Sequence, residues 1–274
     1  MKQSDGFRQT TITDMAAKTD ENKYKIVAQG SVAIIGFFVL WEVAARLSWI
    51  DTTFVPPFTT VVGALWDLLV TGKLARHLSF SFMRAGTGFG AALLLGIPLG
   101  FLVGWFRTFD RFVNPLLQMI RQLPTLALFP VFMLLFGIGE LSKILIITKA
   151  CFWPIFLNTA AAVGTIEPLL IKAARSMKIS SFGMFRKVVL PAALPSIFAG
   201  LRLSATAALL TLVAAEMLGA NAGIGFLIFN SEAKFEIPEM YAGILFITML
   251  GIATNYGLLA VEKHVSKWKQ EIAS

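Results

Sequence analysis

The chain alternates between long apolar segments and short polar ones, and this alternation predicts its elements. The apolar segments reach about 20 residues, enough for a helix to cross a hydrocarbon core of about 30 Å. We therefore predict an all-α integral membrane protein with six transmembrane helices. Their approximate ranges are 27–49, 82–106, 112–136, 142–164, 195–218 and 239–261.

Two stretches interrupt this regular pattern. Segment 57–78 is amphipathic and broken at Gly72, so we predict that it is an external connection between the first two spans. Pro124 and Pro130 interrupt the third span, and backbone groups freed at a break can line a cavity.

A third polar stretch, Lys172 to Pro195, holds five basic residues and no acidic one. We predict two short amphipathic helices here, lying across one mouth of the protein. The first starts at Pro168, and the second is capped by Ser180 or Ser181 and ends at Pro191. Their apolar positions are Leu170, Ala173 or Ala174, Met177, Phe182, Phe185, Val188 and Val189. The segment is either a basic loop that only fixes topology or a helix that docks into a partner's groove.

Composition agrees with a membrane protein. The 274 residues are 56% hydrophobic and 15% charged, with a mean hydropathy of +0.73, whereas soluble domains carry about 25% charged residues. The net charge of +8 is explained by the excess of Lys and Arg in cytoplasmic loops rather than by nucleic-acid binding. With both termini inside, the inner segments hold 15 Lys and Arg and the outer segments four.

The polar pattern also defines the predicted domain organisation. Residues 1–26 form a polar cytoplasmic tail, 27–262 the six-span domain with a loop at 165–194, and 263–274 a basic cytoplasmic tail. We expect the first span to be retained, because no small-residue cleavage site follows it. The loop at 165–194 lies between the fourth and fifth spans, on the cytoplasmic side.

Chemistry that would make the chain an enzyme is not visible in the sequence. One cysteine and two distant histidines predict neither a disulfide nor a metal site. No G-x-x-x-x-G-K-[ST] motif occurs, so the chain does not bind ATP through a P-loop. The stretch GANAGIG at 219–225 is interpreted as a turn or a tight-packing element.

Charged residues inside spans are the candidate functional groups, because each costs about 2.5–3.5 kcal/mol at mid-bilayer. Arg121 precedes Gln122 and the Pro124 break, so it either contacts an anionic solute or pairs with Glu216. Lys149 is interpreted as snorkelling or paired, and Arg84 and Arg202 as lying near span boundaries. Glu42 and Arg46, four residues apart, are expected to pair with each other rather than meet solute.

Small residues on one face of the second span indicate close helix packing. Gly96, Gly100 and Gly104 recur every four residues and let a neighbouring helix approach. We favour packing within the chain, with a dimer contact as the alternative.

Several stretches resemble one family of permeases. The segment KAARSMKISSFGMFRKVVLPAALPSIFAGLRLS resembles the EAA loop of ABC importer permeases. Ala173, Ala174, Leu190 and Pro191 match that loop, whereas Lys172 and Lys178 stand at its usual Glu and Gly positions. HLSFSFMRAGTGF, RQLPTLALFPVFMLLFGIGELSKI and LVAAEMLGANAGIGFLI resemble permeases of the nitrate/sulfonate/taurine group.

The resemblance implies a MetI-like type I ABC importer permease with a cytoplasmic coupling helix between helices 4 and 5. It implies a homodimer in the bacterial inner membrane, two ABC ATPase subunits that bind ATP and Mg²⁺, and a periplasmic or lipid-anchored solute-binding protein. No cofactor is expected in this chain. The residues assigned to ATPase coupling are Lys172, Ala173, Ala174, Met177, Lys178, Phe182, Phe185, Leu190 and Pro191, and those assigned to the translocation path are Arg121, Gln122 and Glu216.

The solute implied is a small anion such as a sulfonate or taurine. Nitrate, bicarbonate, and a pyrimidine or aromatic acid are the alternatives within this class. A gradient-driven secondary transporter is the alternative of another class, although no inverted repeat is detectable.

Overall fold

A computed structural model describes residues 31–265, and all regular structure within that range is helical. The chain divides into two compact units, one ending at Ala64 and the other beginning at Leu65. Helix α1 is described over 31–46. The helices that follow are α2 Phe58–Val70, α3 Lys73–Trp105, α4 Arg107–Arg121, α5 Phe129–Phe136, α6 Glu140–Gly164, α7 Pro168–Ser176, α8 Ser181–Met184, α9 Leu190–Gly219, α10 Ile224–Ala233 and α11 Ile237–Val265.

In the first unit, α1 is joined to the chain that follows it by polar contacts. Arg46 Nε donates to Glu42 Oε1 at 2.5 Å, so the predicted pairing is confirmed. The backbone N–H of Thr59 donates to the other carboxylate oxygen at 3.0 Å. Trp41 Nε1 donates to the carbonyl of Pro56 at 3.0 Å.

The second unit is organised around α3 and α6, which pack side by side in parallel. A Cβ added at Gly88 would meet Ile147, one at Gly96 would meet Ile155, and one at Gly100 would meet Thr159. In each pair the residue number on α6 exceeds that on α3 by 59, so the two helices run in the same direction. The glycines therefore let two spans of one chain pack closely, as predicted.

Helix α9 packs against α6 in the opposite direction, and α11 runs antiparallel to α9. Ser204 Oγ of α9 donates to the Cys151 carbonyl of α6 at 2.7 Å. Arg202 of α9 forms an ion pair with Glu262 near the end of α11. The core between these helices is apolar, and its fully buried members include Phe129, Ile146, Ile147, Ile155 and Leu212.

The third predicted span is broken where the prolines predicted a break, but only one proline makes it. Helix α4 ends at Arg121, and the segment Leu126–Phe136 leaves at an angle of 79°. Pro124 lies within the break, whereas Pro130 occupies the first turn of α5, where a missing N–H removes no hydrogen bond.

Two predicted boundaries are wrong. The second span begins at Lys73, directly after the Gly72 break (φ +72°), so residues 73–78 belong to α3 rather than to a connection. Pro191 does not end the second of the two predicted amphipathic helices, because Ser181–Gly219 forms one continuous helix. A π-type turn at Phe185–Val189 widens the helix ahead of Pro191, which relieves the clash that a proline ring makes with the preceding turn.

Four described helices are long and apolar enough to cross a membrane, and the bent pair makes a possible fifth. These are α3, α6, the continuous helix ending in α9, and α11, with α4 and α5 as the bent pair. The first predicted span is described only from residue 31, so the count of six remains a prediction. The predicted tail at 1–26 lies outside the described residues. Of the predicted tail at 263–274, residues 263–265 belong to the end of α11 and 266–274 lie outside the described residues.

Candidate functional site

The segment predicted to couple to an ATPase presents apolar side chains outward. Met177 and Phe182 are each 74% exposed, and Leu169 and Leu170 are exposed beside them. We call these four residues the apolar coupling surface. Beneath it, Ala174, Met184 and Val189 are buried in a small core with Phe101 and Ile197, and this core fixes the surface to the transmembrane helices.

The remaining predicted coupling residues divide between the surface and the interior. Lys172, Ala173 and Lys178 are exposed, whereas Leu190 and Pro191 are partly buried in the first turn of α9. Phe185 packs edge-on against Phe101, with ring centroids 5.0 Å apart. Phe185 is therefore tied to α3, and Phe182 is the aromatic ring that points away from the protein.

Local geometry explains the turn between the two coupling helices. Lys178 has φ +52°, a left-handed conformation that glycine adopts more easily than other residues. This is the position at which the resembling loop usually has Gly. Ser180 then caps α8, since its Oγ accepts from the backbone N–H of Gly183 at 3.1 Å. The predicted cap at Ser180 is confirmed.

At the opposite end of the core, Arg84 of α3 is the centre of a buried ionic cluster and is only 2% exposed. Its NH1 donates to Glu216 Oε1 of α9 at 2.7 Å and to the Ala222 carbonyl at 2.6 Å. Its Nε and NH2 donate to the Glu140 carboxylate of α6 at 2.5 and 2.8 Å. One guanidinium thus joins α3, α6, α9 and the turn before α10.

The Glu216 carboxylate is 0% exposed, and neighbouring donors satisfy both of its oxygens. Ser81 Oγ lies 2.8 and 2.9 Å from the two oxygens, and the backbone N–H of Gly225 donates at 2.9 Å. Gly223 has φ +129°, and a Cβ there would overlap the carboxylate. The glycine-rich stretch at 219–225 is therefore a tight turn, as predicted. That it encloses the buried Glu216 carboxylate was not predicted.

This cluster corrects the alternative that paired Glu216 with Arg121. Glu216 pairs with Arg84, and Arg121 is exposed at the end of α4. Arg84 was expected near a span boundary, and Glu140 and Ser81 were not expected to participate at all. The available signal was that Arg84 and Glu216 both lie in apolar stretches, where a charge requires a partner.

A lysine in the middle of α6 donates hydrogen bonds to the chain at the break after α4. Lys149 Nζ of α6 donates to the Leu123 carbonyl at 2.8 Å and to Thr125 Oγ1 at 3.2 Å. Leu123 lies beyond the end of α4, so its carbonyl is outside the helical hydrogen-bond pattern, and Lys149 satisfies it. Arg121 and Gln122 are both exposed at this break.

The described residues contain no group of three or more His, Cys, Asp or Glu that could hold a metal ion. Cys151 is buried within α6, and its Sγ donates a hydrogen bond to the Ser204 carbonyl of α9 at 3.5 Å.

Comparison with known proteins identifies the group to which these features belong. Residues 92–270 match the family described as binding-protein-dependent transport system inner membrane component. The putative aliphatic sulfonates transport permease protein SsuC of Bacillus subtilis (strain 168) is 34% identical over 84% of this chain and 83% of its own length. The taurine transport system permease protein TauC of Escherichia coli (strain K12) is 32% identical over 89% and 90%. The nitrate import permease protein NrtB of Leptolyngbya laminosa is 31% identical over 84% and 86%.

A solved structure shares the fold. The MetNI methionine ABC transporter, in an inward facing conformation, contains a chain that superposes with a TM-score of 0.54 and 20% identity. The match covers 77% of this chain and 98% of that one. At this identity the similarity concerns the arrangement of helices alone.

Proposed function

The chain belongs to the family of binding-protein-dependent transport inner membrane components, and from this premise we propose that it forms the translocation path of an ATP-driven importer for a small organic sulfonate such as taurine. The observation that carries the proposal is similarity to sulfonate and taurine permeases along more than four fifths of the chain. The family is a transport component, so the chain is a permease and not an enzyme.

Two copies of the chain, two ABC ATPase subunits and a solute-binding protein would form the importer. ATP and Mg²⁺ would be bound by the ATPase subunits. The excess of Lys and Arg in alternate loops supports an inner-membrane location with both termini in the cytoplasm. The face that carries α7 and α8 would then be cytoplasmic, and the Arg84 cluster would lie near the outer face.

The apolar coupling surface supports ATPase docking at α7 and α8. Met177 and Phe182 are exposed on short helices whose other sides are anchored in the core. An exposed apolar patch on a rigid support is typical of a protein interface, and helix-in-groove binding requires such a surface. Lys172, in place of the usual Glu, leaves this apolar basis of docking intact.

We predict that Phe182→Asp separates the permease from its ATPase. Burying a phenylalanine contributes about 1.5–3 kcal/mol, and each 1.4 kcal/mol is about tenfold in affinity, so binding should weaken at least tenfold. The measurement is the amount of P-loop subunit that co-purifies with the permease in detergent. Lys187→Ala, an exposed change on the same segment, should leave that amount unaltered. Equal retention by the two variants would contradict docking through the apolar surface.

Arg121 and Gln122 support the assignment of an anion path at the α4–α5 break. The Arg121 guanidinium is exposed and makes no ion pair with another described residue. A planar guanidinium matches the oxygens of a sulfonate or of nitrate. Sulfonate, nitrate, bicarbonate and aromatic acids all share this chemistry.

We predict that Arg121→Ala reduces solute uptake without loss of assembly. The loss should be at least about tenfold, because a charge-assisted hydrogen bond contributes about 1.5–3 kcal/mol and each 1.4 kcal/mol is about tenfold. Uptake of taurine, an alkanesulfonate and nitrate would be measured in proteoliposomes that contain the complete importer. Lys187→Ala, which removes an exposed cation outside α4, is the control and should leave uptake unaltered. Normal uptake by Arg121→Ala would remove Arg121 from the path.

A further inference from the structure

Helix α4 has a polar side and an apolar side. Five of its polar residues recur at helical spacing and fall on one side, which we call the α4 polar stripe. The stripe consists of Arg107, Arg111, Asn114, Gln118 and Arg121. Phe112, Leu116 and Met119 occupy another exposed side, and none of the residues of α4 is fully buried.

The direction of the neighbouring helices requires α4 to run through the membrane. Because α3 and α6 are parallel, the chain leaves the end of α3 on one face and must return to the opposite face before α6 begins. The segment Leu126–Phe136 is about 17 Å long at 1.5 Å per residue. That is too short for a hydrocarbon core of about 30 Å, so α4 must supply the remaining depth.

The stripe therefore runs from the face where α3 ends to a depth where lipid would surround an exposed side chain. An arginine facing hydrocarbon costs about 2.5–3.5 kcal/mol. Arg121 lies at the deep end of the stripe, whereas Arg107 and Arg111 lie near the face where α3 ends. No ion pair among the described residues includes Arg107, Arg111 or Arg121. Asp110 is the single acidic residue of α4 and lies near the start of the stripe, which leaves an excess of positive charge.

We propose that the α4 polar stripe lines a water-filled half of the translocation path, running from the α7 face of the protein to the Pro124 break. The inference rests on the proposed transport function and extends it from the break to the whole of α4. The path ends beside the Lys149 ammonium, which is bonded to Leu123 and Thr125. A water-filled groove lined by cations between low-dielectric walls concentrates anions. The solute class accepted by this half of the path is therefore a small anion.

The single cysteine of the chain makes a direct test possible. Cys151 is buried, so the native chain should not react with charged thiol reagents. Gln118→Cys places a thiol on the stripe, and Leu116→Cys and Met119→Cys place thiols at similar depth on the apolar side. Each variant is assembled with its ATPase subunits in proteoliposomes and treated with an anionic or a cationic methanethiosulfonate. The mass of the permease chain then measures modification, both without nucleotide and with ATP and vanadate.

We expect Gln118→Cys to react in at least one nucleotide state and both apolar-side variants to stay unreactive. Each rate is divided by the rate of the same reagent with a free thiol in solution. On this scale the anionic reagent should react about tenfold faster than the cationic one, because the stripe concentrates anions, and Arg111→Gln should reduce this ratio. Shielding of Gln118→Cys in both states would overturn the water-filled path. Equal rates for the two reagents would overturn its anion preference.

This test is independent of the identity of the solute. If the ATPase co-purifies and the native importer takes up an anion, yet Gln118→Cys is shielded, only the stripe assignment fails. If no P-loop subunit binds the native chain, the proposed function fails whatever the thiol shows.

Discussion

Replacing Arg84 with methionine is expected to cause the largest loss of stability of any single change in the described structure. The substitution leaves the Glu216 carboxylate, 0% exposed, without its cation. Removing one partner of a buried ion pair costs about 3–5 kcal/mol, because the remaining charge stays desolvated. Arg84 also donates to Glu140 and Ala222, so α3 would lose these two links to α6 and to the turn before α10. Ser81 and His77 of α3 would still accept from the backbone N–H groups of that turn. The measurement is the midpoint of thermal unfolding in detergent, together with the yield of monodisperse protein.

Two variants distinguish the cost of leaving the buried Glu216 carboxylate unpaired from the cost of losing an arginine side chain in general. Arg46→Met removes the cation of an exposed pair whose arginine side chain is 64% accessible, and its cost should stay below about 1 kcal/mol. Arg84→Met combined with Glu216→Met removes both buried charges and should recover much of the lost stability. If Arg84→Met unfolds at the same temperature as the native chain, the ionic cluster does not hold these helices together.

The second large effect is expected at Gly100, one of the positions where α3 and α6 approach closely. A Cβ at this position would lie 2.6 Å from Thr159 Cβ and 2.9 Å from the Phe156 carbonyl oxygen. The carbonyl belongs to the backbone, so the helices themselves must separate to admit Gly100→Val. Overpacking a core lowers the free energy of unfolding by about 1–3 kcal/mol. We expect the upper end of that range, because separating the helices would also loosen the other close contacts between α3 and α6. Thermal unfolding in detergent measures the loss.

Gly90→Val, on the same helix, is the matched control. Apart from the nearby backbone of α3 itself, no atom lies within 4 Å of a Cβ added at Gly90. Its unfolding temperature should be close to that of the native chain. A similar loss in both variants would mean that valine in α3, rather than the close approach to α6, is responsible. An unchanged Gly100→Val would show that α6 can withdraw at little cost.

Several local features were readable from the sequence because their causes are local. The break at Pro124 follows from a missing N–H, and the cap at Ser180 from a side-chain oxygen near free backbone N–H groups. Glu42 and Arg46 pair because positions four apart share a helix face. The glycine repeat of α3 predicted close packing for the same reason.

The wrong predictions share a different cause. Pro191 and Gly72 were both expected to interrupt a helix. Gly72 does so, whereas a π-type turn carries the helix through Pro191. Whether a proline ends a helix depends on whether the neighbouring turn can widen, and packing of Met184 and Val189 against α3 and α6 favours the continuous helix. No pattern within the segment itself contains that information.

The apolar segments alone are sufficient to determine an all-helical membrane protein, because backbone groups in lipid must be bonded within each segment. Charge and motif spacing add the basic segment between α6 and α9 and the resemblance to the family. The partners of the charged residues were decided by the tertiary structure. Arg84 meets Glu140 and Glu216 across 56 and 132 positions, and Lys149 meets Leu123 across 26. Such pairings depend on the direction and register in which helices pack, and these are set by side-chain shape across the whole interface rather than by any one segment.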